Sequence, residues 1–281
     1  MHVLPTEIEM FDRFMCRYKE ALKFLDSSDN ITFRFTLNLN PELTNWNASK
    51  LKQGYFMDIF YNYFNGISNI NEVTLDDSVW GTTQQKRDSI KLDYDQFIFC
   101  DSDIVIHPHL LKLQLLASYN LDGMYIISPS IPRWWDITWD ILVDSRFKQS
   151  NIGTFNDESV LNNIHNQNTD NITIKNMNTV KFGCGMHTLY SKSFWNFIQI
   201  PESFRGYGPE DSFAMSASSY AKQRGYPIFQ YRMDGIYITE DYHNRTPSII
   251  NDLVVINRKD EFYKNAFAQF NKELDLFISR I

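Results

Sequence analysis

Residues 97–108 read FIFCDSDIVIHP, an apolar segment broken by two acids, Asp101 and Asp103, with one serine between them. No other stretch constrains the fold as strongly. Phe97-Ile98-Phe99-Cys100 predicts a buried strand. In an extended chain residues i and i+2 face the same side, so Asp101 and Asp103 point together at that strand's end. In open α/β sheets, ligands sit beyond the carboxyl ends of strands. Two unpaired carboxylates there repel each other, and desolvation pushes one towards protonation. A divalent cation removes both problems, and hard oxygen ligands suit Mg²⁺ or Mn²⁺ shared with substrate phosphates. A solvated strand end carrying two ordinary acids is the alternative.

On either side of this segment, strands alternate with helices. Ile8, Phe11, Met15, Tyr18 and Leu22 predict an amphipathic helix over 6–25. ITFRFTLNLNP, residues 31–41, alternates as a strand and stops at Pro41. A helix is expected over 50–64, a short strand over 72–77, a helix over 82–92 and a strand over 96–100. Pro108 opens a further helix, and 124–131 form another apolar strand. The polar, Asn-rich stretch 144–179 reads as loop plus short hairpin. After a Gly-Cys-Gly segment come a helix from about residue 191 and another over about 210–224, with Gly225 just past its end. Two strands, PIFQYRM and GIYITE, and a terminal helix follow. There is neither repeat nor linker, and such alternation predicts an α/β layer fold. A length of 281 residues fits one large domain or two small ones.

Composition excludes several classes. A net charge of −7 leaves no basic excess to neutralise phosphates, which argues against nucleic acid as the main partner. Cys16, Cys100 and Cys184 are odd in number and lack metal-site spacing, so no disulfide framework and a reducing compartment are expected. MHVLPTEIEMFDRF carries acids where a signal peptide needs a basic start. No apolar run approaches ~18 residues, so a cytoplasmic protein without a membrane span is expected. The aromatic content of 15% suits either a sugar-binding surface or an aromatic core.

FIFCDSDIVIHPHLL is similar to the metal-binding strand of GT-A-fold nucleotide-sugar glycosyltransferases, where an apolar strand ends in D-x-D before a helix begins. Further stretches on both sides match that family in order. NEVTLDDS (71–78) resembles its second strand, and the resemblance implies that Asp77 reads the uracil edge of the donor. TTQQKRD (82–88) looks like its Ala-Arg-Asn helix, with Asp88 in place of Asn, which implies Arg87 near the nucleotide. FTLNLN would then border the base with Thr36 and Asn38. KFGCGMHTLYSKSFW (181–195) is similar to the segment beside the acceptor, and FRGYGPEDSFAMSASSYAKQRGYPI (204–228) resembles the Gly-x-x-Glu-Asp segment that opens the next helix. The resemblance covers roughly 31–245. It implies a single GT-A (Rossmann-like) domain over 1–281, with a mixed, mostly parallel sheet flanked by helices. About 31–125 would hold the donor and about 126–245 the acceptor, with a helical tail over 246–281.

The implied reaction moves a sugar from a nucleoside diphosphate, with a UDP-sugar favoured, to the hydroxyl of a carbohydrate or other acceptor. A cation at Asp101 and Asp103 would act as a Lewis acid on the departing diphosphate. Asp103 is the preferred direct ligand, while Asp101 reaches the metal through water or contacts the ribose hydroxyls. His243 is the candidate third ligand, and its imidazole favours Mn²⁺ over Mg²⁺; a surface histidine is the alternative. Arg245 is placed to hold the diphosphate. Asp211 is the candidate base of an inverting enzyme, with Glu210 as alternative or support, although acids are common in a helix's first turn and the dipole there favours their charged form. In a retaining enzyme the same pair would orient the acceptor. Gly183 and Gly185 allow close backbone approach, Gly206 and Gly208 allow loop closure, and Trp134, Trp135 and Trp139 are available to stack on sugars or to fill the core.

Two other classes use similar parts. A phosphatase of the haloacid dehalogenase type also places D-x-D at a strand end with Mg²⁺, but its pattern continues Asp-Gly-Thr, where this chain continues Ile104-Val105-Ile106. A non-catalytic carbohydrate-binding protein would use the tryptophans and a cation without a nucleotide.

Overall fold

A strand with apolar side chains on both faces needs a layer over each, and the fold supplies two. The structure, a computed structural model, describes residues 1–3, 8–26, 29, 31–38, 54, 57–59, 61–63, 70–76, 81–102, 104–130, 163–177, 186–204, 210–240 and 268–281. Among them β1 (His2–Val3), β2 (Phe33–Asn38) and β3 (Ile70–Asp76) form a parallel sheet in that order. A five-stranded sheet joins β4 (Gln96–Cys100), β6 (Met124–Ser130), β7 (Thr173–Met177), β8 (His187–Ser191) and β9 (Ile228–Tyr237) in the order β4-β8-β6-β9-β7. Two short strands, β5 (Ile104–Val105) and β10 (Thr239–Glu240), pair antiparallel. The helices are α1 (Ile8–Leu22), α2 (Gly81–Ser89), α3 (Leu110–Ser118), α4 (Lys192–Ile198), α5 (Glu210–Gln223) and α6 (268–280), and residues 54, 57–59 and 61–63 are also helical. No helix among the described residues is long and apolar enough to cross a membrane.

The five-stranded sheet separates two cores, and side-chain alternation along each strand feeds both. Leu189 of β8 and Tyr125 and Ile127 of β6 join one core, against Phe11, Phe14 and Met15 of α1 and Leu110 and Leu111 of α3. Tyr190, Ile126, Phe97 and Phe99 face the other, against Phe194 and Trp195 of α4, Phe213 of α5 and Phe277 of α6. There the ring centroids of Phe99, Tyr190 and Trp195 lie 4.8 to 5.7 Å apart, the range in which aromatic pairs attract. Much of the aromatic content is therefore core, while Trp134, Trp135 and Trp139 lie outside the described residues.

Local chemistry sets several boundaries. α1 follows its apolar stripe: Phe11, Phe14, Met15, Tyr18 and Leu22 are buried, while Cys16 and Lys19 are exposed. Ser191 caps α4 by accepting a hydrogen bond from the Phe194 N–H, and the same hydroxyl accepts one from the Tyr125 N–H of β6. α5 ends as expected at Gly225, with φ +90°: the Gly225 N–H donates to the Lys222 carbonyl and the Tyr226 N–H to the Ala221 carbonyl.

The structure corrects four expectations. The 144–179 stretch holds no local hairpin within its described part; its strand β7 instead pairs antiparallel with β9.

 
The register sets Lys175 opposite Arg232 and Asn176 opposite Tyr231. A strand also stands where none was expected, at His187–Ser191, because β8 is buried by neighbours on both sides and needs no apolar alternation to stay there. The two strands expected over 227–240 are one ten-residue strand, β9, followed by the short β10. Its pairing with β6 shifts between Pro129 and Ser130, where Gly235 takes φ +95° and an added Cβ would stand 3.3 Å from the Asn171 carbonyl oxygen. The sheet is mixed but not mostly parallel: within the five strands β6–β9 is parallel, while β4–β8, β6–β8 and β7–β9 are antiparallel.

The central place of β8 has a measurable consequence. Leu189 is fully buried, so Leu189→Ala should cost about 3 kcal/mol in urea unfolding with the m-value unchanged. A loss below about 1 kcal/mol would contradict this packing.

Candidate functional site

The first aspartate of the Asp-Ser-Asp segment stands directly beyond β4. The Asp101 N–H donates to the Met186 carbonyl at 2.9 Å, so pairing with the chain that enters β8 continues through it. Asp101 is half-buried and Ser102 is buried. Asp103 lies outside the described residues; β5 follows it, with Ile104 and Val105 both fully buried. Glu240, the last residue of β10, is the register partner of Ile104, the first residue of β5. His243 and Arg245, a few residues further on, lie outside the described residues, as do Asp77, Gly183, Gly185, Gly206 and Gly208.

The strand ends assigned to the base are side by side. Asn38 closes β2 opposite Asp76, which closes β3, and Thr36 is buried opposite Thr74. Of Asn38 only the backbone is described.

The acidic pair of α5 meets α2 through a lysine. Lys86 Nζ lies 2.8 Å from Glu210 Oε1 and 3.3 Å from Asp211 Oδ2. The Thr83 hydroxyl donates to Glu210 Oε2 at 2.9 Å, so both oxygens of this carboxylate accept hydrogen bonds. Glu210 is only 3% exposed and Asp211 17%, which makes Asp211 the carboxylate that a ligand reaches more easily. The ammonium also lies 5.5 Å from the centroid of the Phe99 ring on β4. Burial opposes the charge on Lys86, but the carboxylates of Asp211, Glu210 and Asp101 outweigh it and hold its pKa well above the ordinary lysine value. One cation thus gathers Asp101, Glu210 and Asp211 into a single electrostatic neighbourhood, and helix position explains how. α2 brings Thr83 and Lys86 to the start of α5 on one face, as residues three apart must lie.

Arg87, the next residue, points elsewhere. Its Nη2 donates to the Pro201 carbonyl at 2.9 Å and the Phe204 carbonyl at 2.7 Å, tying α2 to the turn that precedes α5. Lys86 and Thr83 are the site residues that the sequence reading passed over. Their signal was present in TTQQKRD as a hydroxyl and an amine at i and i+3.

His187 adjoins the site from the other face of the sheet. It is the register partner of Cys100, is fully buried, and has neither ring nitrogen hydrogen-bonded among the described residues. Its ring centroid lies 6.1 Å from that of Tyr18. Desolvation lowers its pKa to about 4. Cys100 and Cys16 are not joined to each other by a disulfide, and Cys184 lies outside the described residues. Among the described residues no group of three or more His, Cys, Asp or Glu side chains is arranged to hold a metal ion.

Compared with known proteins, the chain matches no protein-family model and no curated sequence.

The buried imidazole predicts an acid-sensitive fold. With a folded pKa of about 4 against about 6.5 when unfolded, His187 takes up a proton in the unfolded chain first. Stability therefore falls as pH drops below about 6.5, and the loss is complete below about 4. His187→Leu should shrink the stability difference between pH 7 and pH 5 by about 2 kcal/mol in urea titrations. An unchanged difference would mean that the imidazole is solvated.

Proposed function

We propose that this chain is a metal-dependent glycosyltransferase of GT-A type, moving a sugar from a UDP-sugar to an acceptor hydroxyl. One observation carries the reading: Glu210 and Asp211, at the start of α5, hold the Lys86 ammonium, and that ammonium lies 5.5 Å from the ring of Phe99, two residues before Asp101 at the end of β4, although more than a hundred residues separate Asp101 from the acidic pair in sequence. The level ends of β2 and β3 support a base pocket next to Asp77.

The proposed ligand set is Asp101, Asp103 and His243, of which Asp101 is described. Its half-buried carboxylate at a strand end fits a hard divalent cation, and an added imidazole favours Mn²⁺ over Mg²⁺. The register of β10 against β5 supports including His243, because Glu240 is paired with the residue that follows Asp103. When bound, the cation supplies Lewis-acid neutralisation of charge on the diphosphate.

The chain's own residues do the rest. Arg245 holds the diphosphate by charge-assisted hydrogen bonds. Asp211, the more exposed of the acidic pair, takes the proton of the acceptor hydroxyl as that oxygen attacks the anomeric carbon and the diphosphate leaves with the bonding electrons. Glu210, with both oxygens engaged, anchors the first turn of α5 so that Asp211 keeps its place.

UDP with Mn²⁺ should raise the melting temperature by several degrees, and Asp103→Ala should abolish the rise with the fold intact by circular dichroism. No rise in the wild type would favour a carbohydrate-binding protein, and release of phosphate from simple phosphomonoesters would favour a phosphatase. Asp211→Asn should leave UDP binding within about twofold and lower transfer by about a hundredfold or more. Full transfer by that variant would remove Asp211 as the base.

A further inference from the structure

The turn after β5 carries two histidines, and the segment packed on it carries a third. Ile164 and Val105, both buried, form a small apolar contact apart from the two main cores. Around it the polar contacts come from imidazoles. His165 Nδ1 donates to the Ile106 carbonyl at 3.1 Å, and His109 Nδ1 lies 3.3 Å from the Thr169 hydroxyl. His107 Nδ1 accepts the His109 N–H at 3.0 Å, which it can do only while that nitrogen carries no proton. The ring centroids of His107 and His109 lie 5.0 Å apart, and Phe24 packs edge-on against His109. The same segment also reaches β9. There the Gln167 side chain donates to the Gly235 carbonyl and accepts the Tyr237 N–H at 3.0 Å. Residues 163–172 thus form a strap from the turn that follows the Asp-Ser-Asp segment to the end of β9.

A positive charge is unwelcome at the histidine end of this strap. His107 is buried, and His109 is the N-cap residue of α3, where the helix dipole opposes a cation. No carboxylate among the described residues hydrogen-bonds any of the three rings. Asp26 and Asp29, in the loop after α1, are held by Lys112 of α3, and Asp234 of β9 is held by Lys175 and Arg232. Asp170 of the strap bonds to Asn168 through its own N–H, and of Glu240, at the end of β10, only the backbone is described. Burial, and then the neighbouring His109 and His165, lower the pKa of His107 to about 4.

We propose that His107 makes this strap a pH-sensitive latch: neutral, it keeps residues 163–172 closed on the turn after β5, and its protonation takes the acceptor from the His109 N–H, sets a charge against the start of α3 and releases the strap. The latch needs no substrate and holds whichever reaction the chain performs. His107 has a pKa of about 4 with the strap closed and the ordinary value of about 6.5 once it is released, so the open form takes up the proton first. Closure is therefore fully favoured above about 6.5 and weakens as pH falls, until the contribution is lost below about 4. Between pH 7 and pH 5 the opening constant rises about twentyfold. Release bares Val105, two residues after Asp103, so acid loosens the flank of the candidate site while both cores stay folded.

Hydrogen exchange of the Tyr237 amide reads the latch, because its bond to Gln167 lies at the β9 end of the strap and involves no histidine. Measured by NMR and corrected for the intrinsic exchange rate, its opening constant should rise about twentyfold from pH 7 to pH 5 in the wild type. His107→Asn offers a side-chain oxygen to the N–H two residues on and does not titrate. In that variant the rise should shrink below about threefold, while the amides of β8 respond to pH as they do in the wild type. Equal opening at the two pH values in the wild type, or a rise that persists in His107→Asn, overturns the latch. Should the variant not fold, the His107 ring of the wild type decides by its own NMR titration. A bare Nδ1 at pH 7 and a midpoint below about 5 support the latch, and a midpoint near the ordinary value of about 6.5 overturns it.

Discussion

Strand β8 is the constraint on which the rest depends. All five of its residues are buried, and it lies between β4 and β6 with Leu189 in one core and Tyr190 in the other. Its partners set the site. The Met186 carbonyl, just before it, holds the Asp101 backbone, and Ser191, its last residue, caps α4 while bonding to β6. Without β8, β4 would have no described neighbour in the sheet, and Asp101 would have no defined direction.

The second organising contact is electrostatic. Lys86, Thr83, Glu210 and Asp211 join α2 to α5, and Arg87 reinforces that junction through the Pro201 and Phe204 carbonyls. A buried ion pair of this kind is costly to desolvate, so its value lies in geometry more than in net stability. It holds two carboxylates and one ammonium at the start of a helix, where the dipole adds to the hold on the negative charges.

Much of the local structure was legible in the sequence because it follows from short-range rules. The apolar stripe gave α1, the FIFC run gave β4, and Gly225 marked the end of α5. β8 was not legible, since HTLYS mixes polar and apolar residues and is held by neighbours distant in sequence. Direction of pairing was equally hidden: nothing local distinguishes the antiparallel β8 from a parallel strand. In the site, position was easier to read than orientation. Asp101, Glu210 and Asp211 could be singled out by type and spacing, but which of the adjacent cations Lys86 and Arg87 faces the carboxylates depends on how α2 is rotated against the sheet.

The sheet order β4-β8-β6-β9-β7 also bears on how the chain is made. During synthesis from the N-terminus, β4 and β6 emerge well before β8, the strand that must slot between them. Until then the uncharged QFIFC segment is a bare edge of the kind that captures other chains. Sequence-distant pairing closes slowly, so the nascent protein passes through a sticky interval that shortens when β8 covers one edge of β4 and joins it to β6. Prompt delivery of residues 187–191 thereby guards the chain against aggregation as well as completing its fold.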